Sequence, residues 1–111
     1  MNIDNAKAQM RKGVLELCIL ALLQDGPAYV SDLLERLKQS KIIVVEGTLY
    51  PLLTRLKNAG VLTYKWEESK SGPPRKYYQL TDLGRKSYEE LRGSWNELVQ
   101  SVEQTLQSTA S

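Results

Sequence analysis

The side chains that most often carry enzyme chemistry are nearly absent from this 111-residue sequence. It contains no histidine, and Cys18 is its single cysteine. These two facts remove zinc sites of the Cys/His type and most pairs of a nucleophile with an imidazole base. Two pairs of adjacent carboxylates, Glu67-Glu68 and Glu89-Glu90, stand near lysines and arginines, as on an ordinary solvated surface. We therefore expect neither an enzyme nor a site for a metal or another cofactor.

Positive charge is concentrated in the middle of the sequence. Residues 54–86 hold eight basic and three acidic side chains, whereas residues 87–111 hold one and four. Three of the cations flank a pair of prolines that stiffen the segment between them: Lys70, Arg75 and Lys76. Cations presented in this way favour binding to the phosphates of DNA, through release of counterions. The alternative is an ordinary solvent-exposed turn.

Residues 46–60 have the spacing of a helix with a narrow apolar face. At about 100° per residue, the leucines of this segment form one stripe that must face a core: Leu49, Leu52, Leu53 and Leu56. The outward side carries five candidate DNA contacts: Thr48, Tyr50, Pro51, Thr54 and Arg55. Small, hydroxylic and cationic groups suit an anionic groove, because they donate to phosphates or to base edges. The alternative is a helix that is merely solvated.

The elements that position these residues follow from periodicity and from end signals. Four helices are expected, over residues 5–25, 31–39, 46–60 and 82–106. Their caps are expected to be Asp4 or Asn5 for the first helix, Ser31 for the second and Thr81 or Asp82 for the fourth, with Gly60 ending the third. Two strands, 61–67 and 75–80, are separated by a polar stretch rich in glycine and proline, which predicts a hairpin with a long tip over 68–74. The predicted fold class is mainly α with a small β-hairpin, a winged helix-turn-helix over residues 1–81.

The last predicted helix, 82–106, carries apolar residues at steps of three and four, the spacing of a seam between two helices: Tyr88, Leu91, Trp95, Leu98 and Val102. A helix of this length measures about 37 Å and outreaches so small a domain. Its distal half therefore needs a second chain to cover it. We expect a homodimer with two-fold symmetry that forms through this helix. After the helix, we expect a flexible tail over residues 107–111.

Trp95 lies in the middle of that stripe and allows two interpretations. It is either a packing anchor of the dimer interface or one wall of a cavity for a small, flat aromatic ligand. The first helix is apolar on almost every side in its second half, so it is the natural source of the opposite wall. The candidate ligand contacts there are Met10, Val14 and Leu17.

The sequence resembles the PadR family of bacterial transcriptional regulators, in particular its short members with one C-terminal helix. The resemblance covers residues 10–106 and rests on three segments and one glycine: GTLYPLLTRL at 47–56, GVL at 60–62, RKYYQLT at 75–81, and Gly84. It implies repression of transcription from a palindromic operator, relieved when a small, often aromatic molecule weakens DNA binding.

The resemblance also implies roles for individual residues. Tyr50 and Pro51 match the recognition-helix pattern of the family, and the cations at 70, 75 and 76 match its wing. Trp95 matches a tryptophan with which some short members stack flat compounds between two subunits.

The predicted function is that of a sequence-specific, DNA-binding transcriptional regulator, a repressor relieved by a small ligand. The alternative is a winged-helix module that binds another protein instead of DNA, and strong salt dependence of binding to duplex DNA would distinguish the two. The cytoplasm is the expected location, because residues 1–10 lack the order of a secretory signal and one cysteine forms no internal disulfide. No membrane association is expected, since no run of about eighteen uncharged apolar residues occurs.

Overall fold

The computed structural model describes residues 1–108 as helices connected to one small sheet. In chain order the elements are α1 (Ile3–Leu23), β1 (Ala28–Tyr29), α2 (Val30–Gln39), α3 (Glu46–Asn58), β2 (Leu62–Ser69), β3 (Gly72–Leu80) and α4 (Asp82–Ser108). The strands form an antiparallel sheet in the order β1-β3-β2. The predicted class, mainly helical with a β-hairpin, is confirmed. The sheet has one more strand than predicted, because two residues carry no periodicity and β1 forms only where β3 lies beside it.

The first two helices begin before their predicted starts, because other side chains provide their caps. The Asn2 side chain accepts a hydrogen bond from the N–H of Asn5 at 3.1 Å, so α1 begins two residues earlier than predicted, and it also ends two residues earlier. The N–H of Tyr29 donates to Asp32 Oδ2 at 2.9 Å, so α2 begins before Ser31. Ser31 is therefore a residue of the first turn and not the cap that was predicted.

The end of α3 and the start of α4 agree with their sequence signals. Gly60 follows α3 with a φ of 82°, the left-handed conformation expected of a glycine that ends a helix. Thr81 Oγ1 accepts from the N–H of Gly84 at 3.0 Å, which confirms Thr81 as the cap of α4. α4 continues through Ser108, two residues into the segment predicted to be a flexible tail. The rest of that predicted tail, 109–111, lies outside the described residues.

The hairpin of β2 and β3, which we call the wing, has a shorter tip than predicted. Strand pairing continues almost to its end and leaves only Lys70 and Ser71 between the strands, instead of a tip over 68–74. Pro73-Pro74 cannot donate to a strand ladder, and a bulge accommodates this dipeptide opposite Glu68. The bulge is the reason that pairing extends past two prolines, which the sequence pattern places in a loop.

The core lies where the first three helices meet the sheet. Its most deeply buried large side chains are aliphatic: Ile19, Leu20, Leu23, Leu33, Leu49 and Leu53. The leucine stripe predicted for α3 is confirmed, since all four of its members are buried. Tyr88 belongs to this core too, with 9% of its surface exposed, so its assignment to the dimer seam is wrong. It lies in the second turn of α4, where the helix still packs on its own chain.

Beyond Tyr88, α4 leaves the core. Residues 89–108 are all exposed, and the molecule measures 62 Å along its longest axis against 32 Å and 22 Å along the others. Large apolar side chains remain in contact with solvent on this segment: Leu91, Trp95, Leu98, Val99, Val102 and Leu106. Among the helices described, α4 included, none combines the length and the apolar character needed to cross a membrane.

Candidate nucleic-acid interface

α3 presents a polar surface to solvent, opposite its buried leucines. Thr48, Tyr50, Pro51 and Thr54 are all exposed, as predicted. The Tyr50 side chain is the bulkiest of the four and has 46% of its surface accessible. Glu46 is the acidic residue of the first turn. The exposed face therefore offers two threonine hydroxyls and one phenol, groups that hydrogen-bond with phosphates and with base edges.

Arg55, the predicted cation of α3, is already paired within the chain. Its Nη2 forms an ion pair with Glu16 Oε1 on α1. Both side chains keep substantial contact with solvent, so water and salt screen the attraction between them. Because the pair is weak, Arg55 can leave Glu16 for another anion at little energetic cost.

Arg75 and Lys76 are neighbours in β3, so their side chains lie on opposite faces of the wing. Arg75 Nη2 donates to Ser31 Oγ at 2.6 Å, and the guanidinium carbon lies 3.8 Å from the centre of the Tyr29 ring. On the other face, Lys76 Nζ lies 5.4 Å from the centre of the Trp66 ring. Each cation thus lies against an aromatic ring, an arrangement that holds its position by cation–π attraction.

A cleft of about 390 Å³ lies between α3 and the wing. Residues of β1, α2, α3, β2 and β3 line it, among them Tyr29, Ser31, Glu46, Tyr50, Trp66, Pro74, Arg75 and Lys76. The cleft brings together three of the predicted DNA-binding residues: Tyr50, Arg75 and Lys76. The other predicted contacts lie outside it. Lys70 is exposed in the turn of the wing, and the remaining residues are on the exposed side of α3: Thr48, Pro51, Thr54 and Arg55.

Trp66 is a residue of this cleft that the sequence analysis did not single out. It has 60% of its surface exposed, and it is the register partner of Lys76 across the wing. Its ring meets that of Tyr64 edge-on, with 6.2 Å between centres. The alternation of Tyr64 and Trp66 in β2 is the sequence signal that places both rings on one face. An exposed indole beside a lysine adds apolar surface to a cleft whose charged lining residues are Glu46, Arg75 and Lys76.

Two phenols near the cleft have raised pKa values. The pKa of Tyr29 is raised first by the hydrogen bond that its hydroxyl donates to Glu67 Oε2 at 2.6 Å, and then by burial. Burial is the main cause of the raised pKa of Tyr78, followed by the nearby phenols of Tyr50 and Tyr64. Tyr29 and Tyr78 therefore remain neutral hydrogen-bond donors throughout the physiological pH range.

A second concave site, of about 590 Å³, lies between α1 and α4. We call it the aromatic groove and define it by five of its lining residues: Met10, Val14, Trp95, Leu98 and Val102. Three of the four predicted ligand contacts are among them. Leu17, the fourth, does not line the groove, because it is partly buried against the core.

These elements define a winged helix-turn-helix protein with a long C-terminal helix. The chain belongs to the PadR-like family of transcriptional regulators, whose family model matches residues 19–90. It is similar to the X-ray structure of a PadR-like transcription factor from Bacteroides fragilis, with 58% identity and a TM-score of 0.76 over 90% of this chain and 97% of that chain. The chain is therefore a transcription regulator and not an enzyme.

Two other solved structures extend the comparison. A PadR family transcriptional regulator from Eggerthella lenta is 34% identical, with a TM-score of 0.87 over 94% of this chain and 91% of that one. PadR of Bacillus subtilis, solved in complex with operator DNA, is 26% identical, with a TM-score of 0.66 over 70% of this chain and 46% of that one.

Proposed function

We propose that this chain is a dimeric repressor that binds a palindromic operator and releases it when a small, planar aromatic compound occupies the aromatic groove. The observation that carries the DNA-binding part is the cleft, because Tyr50 of α3 borders the same space as Arg75 and Lys76 of the wing. The solved complex of the Bacillus subtilis relative with operator DNA supports the same use of this fold.

In the proposed complex, α3 enters the major groove, whose width of about 12 Å admits one helix. Thr48, Tyr50 and Thr54 contact base edges or nearby phosphates, since their hydroxyls lie on the exposed face. Arg55 exchanges Glu16 for a phosphate. The cations of the wing bind the adjacent backbone and provide affinity that is independent of sequence: Lys70, Arg75 and Lys76.

Two copies of the chain pair through the exposed apolar stripe of α4. Leu98 has 55% of its surface exposed and Trp95 42%, and their apolar neighbours extend the patch along the helix. A stripe of this length on a monomer would leave an apolar surface that globular proteins rarely expose. A two-fold pair presents two α3 helices to two half-sites about 34 Å apart, which requires an operator with the same symmetry.

The aromatic groove connects ligand binding to the dimer, because Trp95 and Leu98 belong both to the groove and to the α4 stripe. A flat aromatic guest stacks on the indole and contacts Met10 and Val14 from α1. If it fits one arrangement of the two subunits better than another, it changes the spacing of the α3 helices. Operator affinity then changes by the difference in binding free energy between the two arrangements.

Salt-dependent binding to DNA tests this proposal directly. Fluorescence anisotropy is measured on a duplex from the region upstream of the chain's own gene, from about 50 mM to about 200 mM salt. We expect a steep fall in affinity with salt, and Lys70→Ala should weaken binding and reduce the slope by about one. Lys38→Ala is the control, since Lys38 lies at the end of α2 remote from the wing contact at Ser31.

Substitutions on α3 test sequence recognition separately. Thr48→Ala should alter the ranking of duplexes with single base changes, whereas Lys70→Ala should weaken all of them alike. Binding to no duplex, or binding that does not respond to salt, would contradict the proposal and favour a winged-helix module for a protein partner.

A further inference from the structure

Tyr29 occupies the point at which the sheet meets the first helix of the helix-turn-helix. It is the last residue of β1, it pairs with Tyr77 of β3, and it directly precedes α2. Its N–H donates to Asp32 Oδ2 in the first turn of α2. The backbone of Tyr29 is therefore held by both the sheet and the helix.

The side chain of Tyr29 extends onto the wing and contacts both of its strands. Its hydroxyl donates to Glu67 Oε2 on β2 at 2.6 Å, and the guanidinium carbon of Arg75 on β3 lies 3.8 Å from its ring centre. Glu67 and Arg75 are register partners across the hairpin. The side chain of Tyr29 thus contacts both strands of the wing at one pair of register partners.

Arg75 connects the wing to α2 a second time, since its Nη2 donates to Ser31 Oγ at 2.6 Å. The result is a continuous cluster, which we call the wing clamp and define as Tyr29, Ser31, Glu67 and Arg75. It joins residues that are 38 and 44 positions apart in the sequence.

The outer wing depends on side-chain contacts of this kind for its direction. In the described sheet, β1 pairs only with Tyr77 and Tyr78, so the outer part of β3 pairs with β2 alone. A two-stranded hairpin without further support is marginally stable in water. Sheet hydrogen bonds alone therefore do not determine how the wing projects from the body of the protein.

We propose that Tyr29 is a positioning residue that fixes the wing relative to α2 before DNA binds. It also keeps Arg75 hydrogen-bonded to Ser31 until a phosphate takes the place of the serine as the partner of Arg75. The fixing of the wing is a property of the free protein, whereas the exchange at Arg75 rests on the proposed DNA-binding function. A wing that is ordered before binding avoids an entropic penalty when DNA binds. Loss of that order should therefore weaken affinity without removing a phosphate contact.

The presence of Glu67 in the wing clamp is not explained by DNA contact. A carboxylate on a surface that approaches phosphates opposes binding by like-charge repulsion. Its acceptor role toward Tyr29 accounts for its presence. Glu67→Gln keeps an acceptor oxygen and removes the charge, whereas Glu67→Ala removes both. The two substitutions therefore separate the positioning role from the charge.

Backbone 15N relaxation of the DNA-free protein tests the fixing of the wing. For amides in residues 67–72, we expect order parameters near those of rigid backbone, about 0.85, in the unmodified chain and in Glu67→Gln. In Tyr29→Phe and Glu67→Ala they should fall toward about 0.6 or below. Tyr77→Phe is the matched control, because the Tyr77 ring contacts Tyr29 at 4.6 Å between centres but its hydroxyl is not part of the wing clamp.

Operator binding tests the consequence. Tyr29→Phe should weaken operator affinity about threefold to tenfold and leave the salt slope unchanged, because no phosphate contact is lost. Lys70→Ala should lower both the affinity and the salt slope. Glu67→Gln should raise affinity.

A rigid wing together with unchanged affinity in Tyr29→Phe would overturn the proposal. If Tyr29→Phe loosens the wing but even the unmodified chain binds no DNA, the positioning role stands and the proposed function fails.

Discussion

The guanidinium of Arg55 on α3 forms an ion pair with the carboxylate of Glu16 on α1. α1 also provides Met10 and Val14 to the aromatic groove, so one helix contacts both the groove and the helix proposed to contact DNA. Glu16 follows Val14 by two positions, less than one turn. A displacement of α1 caused by a guest in the groove would therefore reach Arg55 through a direct contact.

Removing the charge of Glu16 should strengthen DNA binding. In Glu16→Gln, Arg55 loses a competitor for phosphate, and because exposed pairs contribute up to about 1 kcal/mol, we expect affinity to rise at most about fivefold at low salt. Asp25→Asn is the matched control, since the pair of Asp25 with Arg36 at 2.7 Å is also exposed but involves no proposed DNA contact. Equal effects of the two substitutions, measured by anisotropy, would show that only net charge matters.

A charge in the α4 stripe should separate the proposed dimer. Leu98→Asp would bury an unpaired carboxylate in the interface, a change that costs several kcal/mol unless the chains dissociate. Light scattering should then give the mass of one chain, with the helical content of the monomer retained. Gln100→Asp, on the opposite side of the same helix, should remain a dimer. A two-chain mass for Leu98→Asp would rule out this seam.

Planar aromatic compounds should bind against Trp95. Titration with a bisbenzimide dye should quench tryptophan fluorescence, and this quenching should disappear in Trp95→Ala. The fluorescence of the dye itself gives its affinity in every variant. A stacking contact adds about 0.5–1.5 kcal/mol beyond area burial, so the substitution should weaken binding about twofold to tenfold or more. Trp66→Phe removes the second indole and should leave dye affinity unchanged. Unchanged affinity in a folded, dimeric Trp95→Ala protein would leave Trp95 as a packing residue only.

Two glycines of α4 should respond in opposite ways to alanine. A Cβ at Gly84 would overlap the carbonyl oxygen of Val61, so Gly84→Ala should lower the free energy of unfolding by about 1–3 kcal/mol or more. Gly93 has open space around it, so Gly93→Ala should raise that free energy by about 0.5–1 kcal/mol through helix propensity. Urea unfolding measures both, and similar midpoints would contradict the close approach of α4 to Val61.

Cys18 should react slowly with thiol reagents. Burial raises the pKa of its thiol, so the folded protein holds less of the reactive thiolate at pH 8 than an exposed cysteine does. The rate with a disulfide reagent such as Ellman's reagent should be well below that of free cysteine and should rise to the same level in denaturant. Since the folded pKa is the higher one, this thiol favours the folded state below its unfolded pKa. That contribution is lost as the pH rises through the pKa of the folded state. Equal rates in the folded and denatured protein would contradict the slow reaction expected of Cys18.

The sequence by itself determined the features that depend on spacing within one element. The leucines of α3 are buried because they share one side of a helix, and Thr81 and Gly60 cap helices through local geometry. Most of the elements could therefore be predicted, apart from β1 and the length of the wing, because β1 depends on a neighbouring strand and the wing on a bulge.

Only the tertiary structure decided which faces meet. Periodicity along α4 predicts that Tyr88 is covered but cannot say by what, and the core of its own chain covers it. Arg55 and Glu16 are 39 positions apart, and no local sequence pattern predicts that they pair. The same is true of Tyr29 and Glu67. The reason is physical: a side chain's burial can be inferred from its own helix or strand, but its partner is set by how elements distant in sequence pack together.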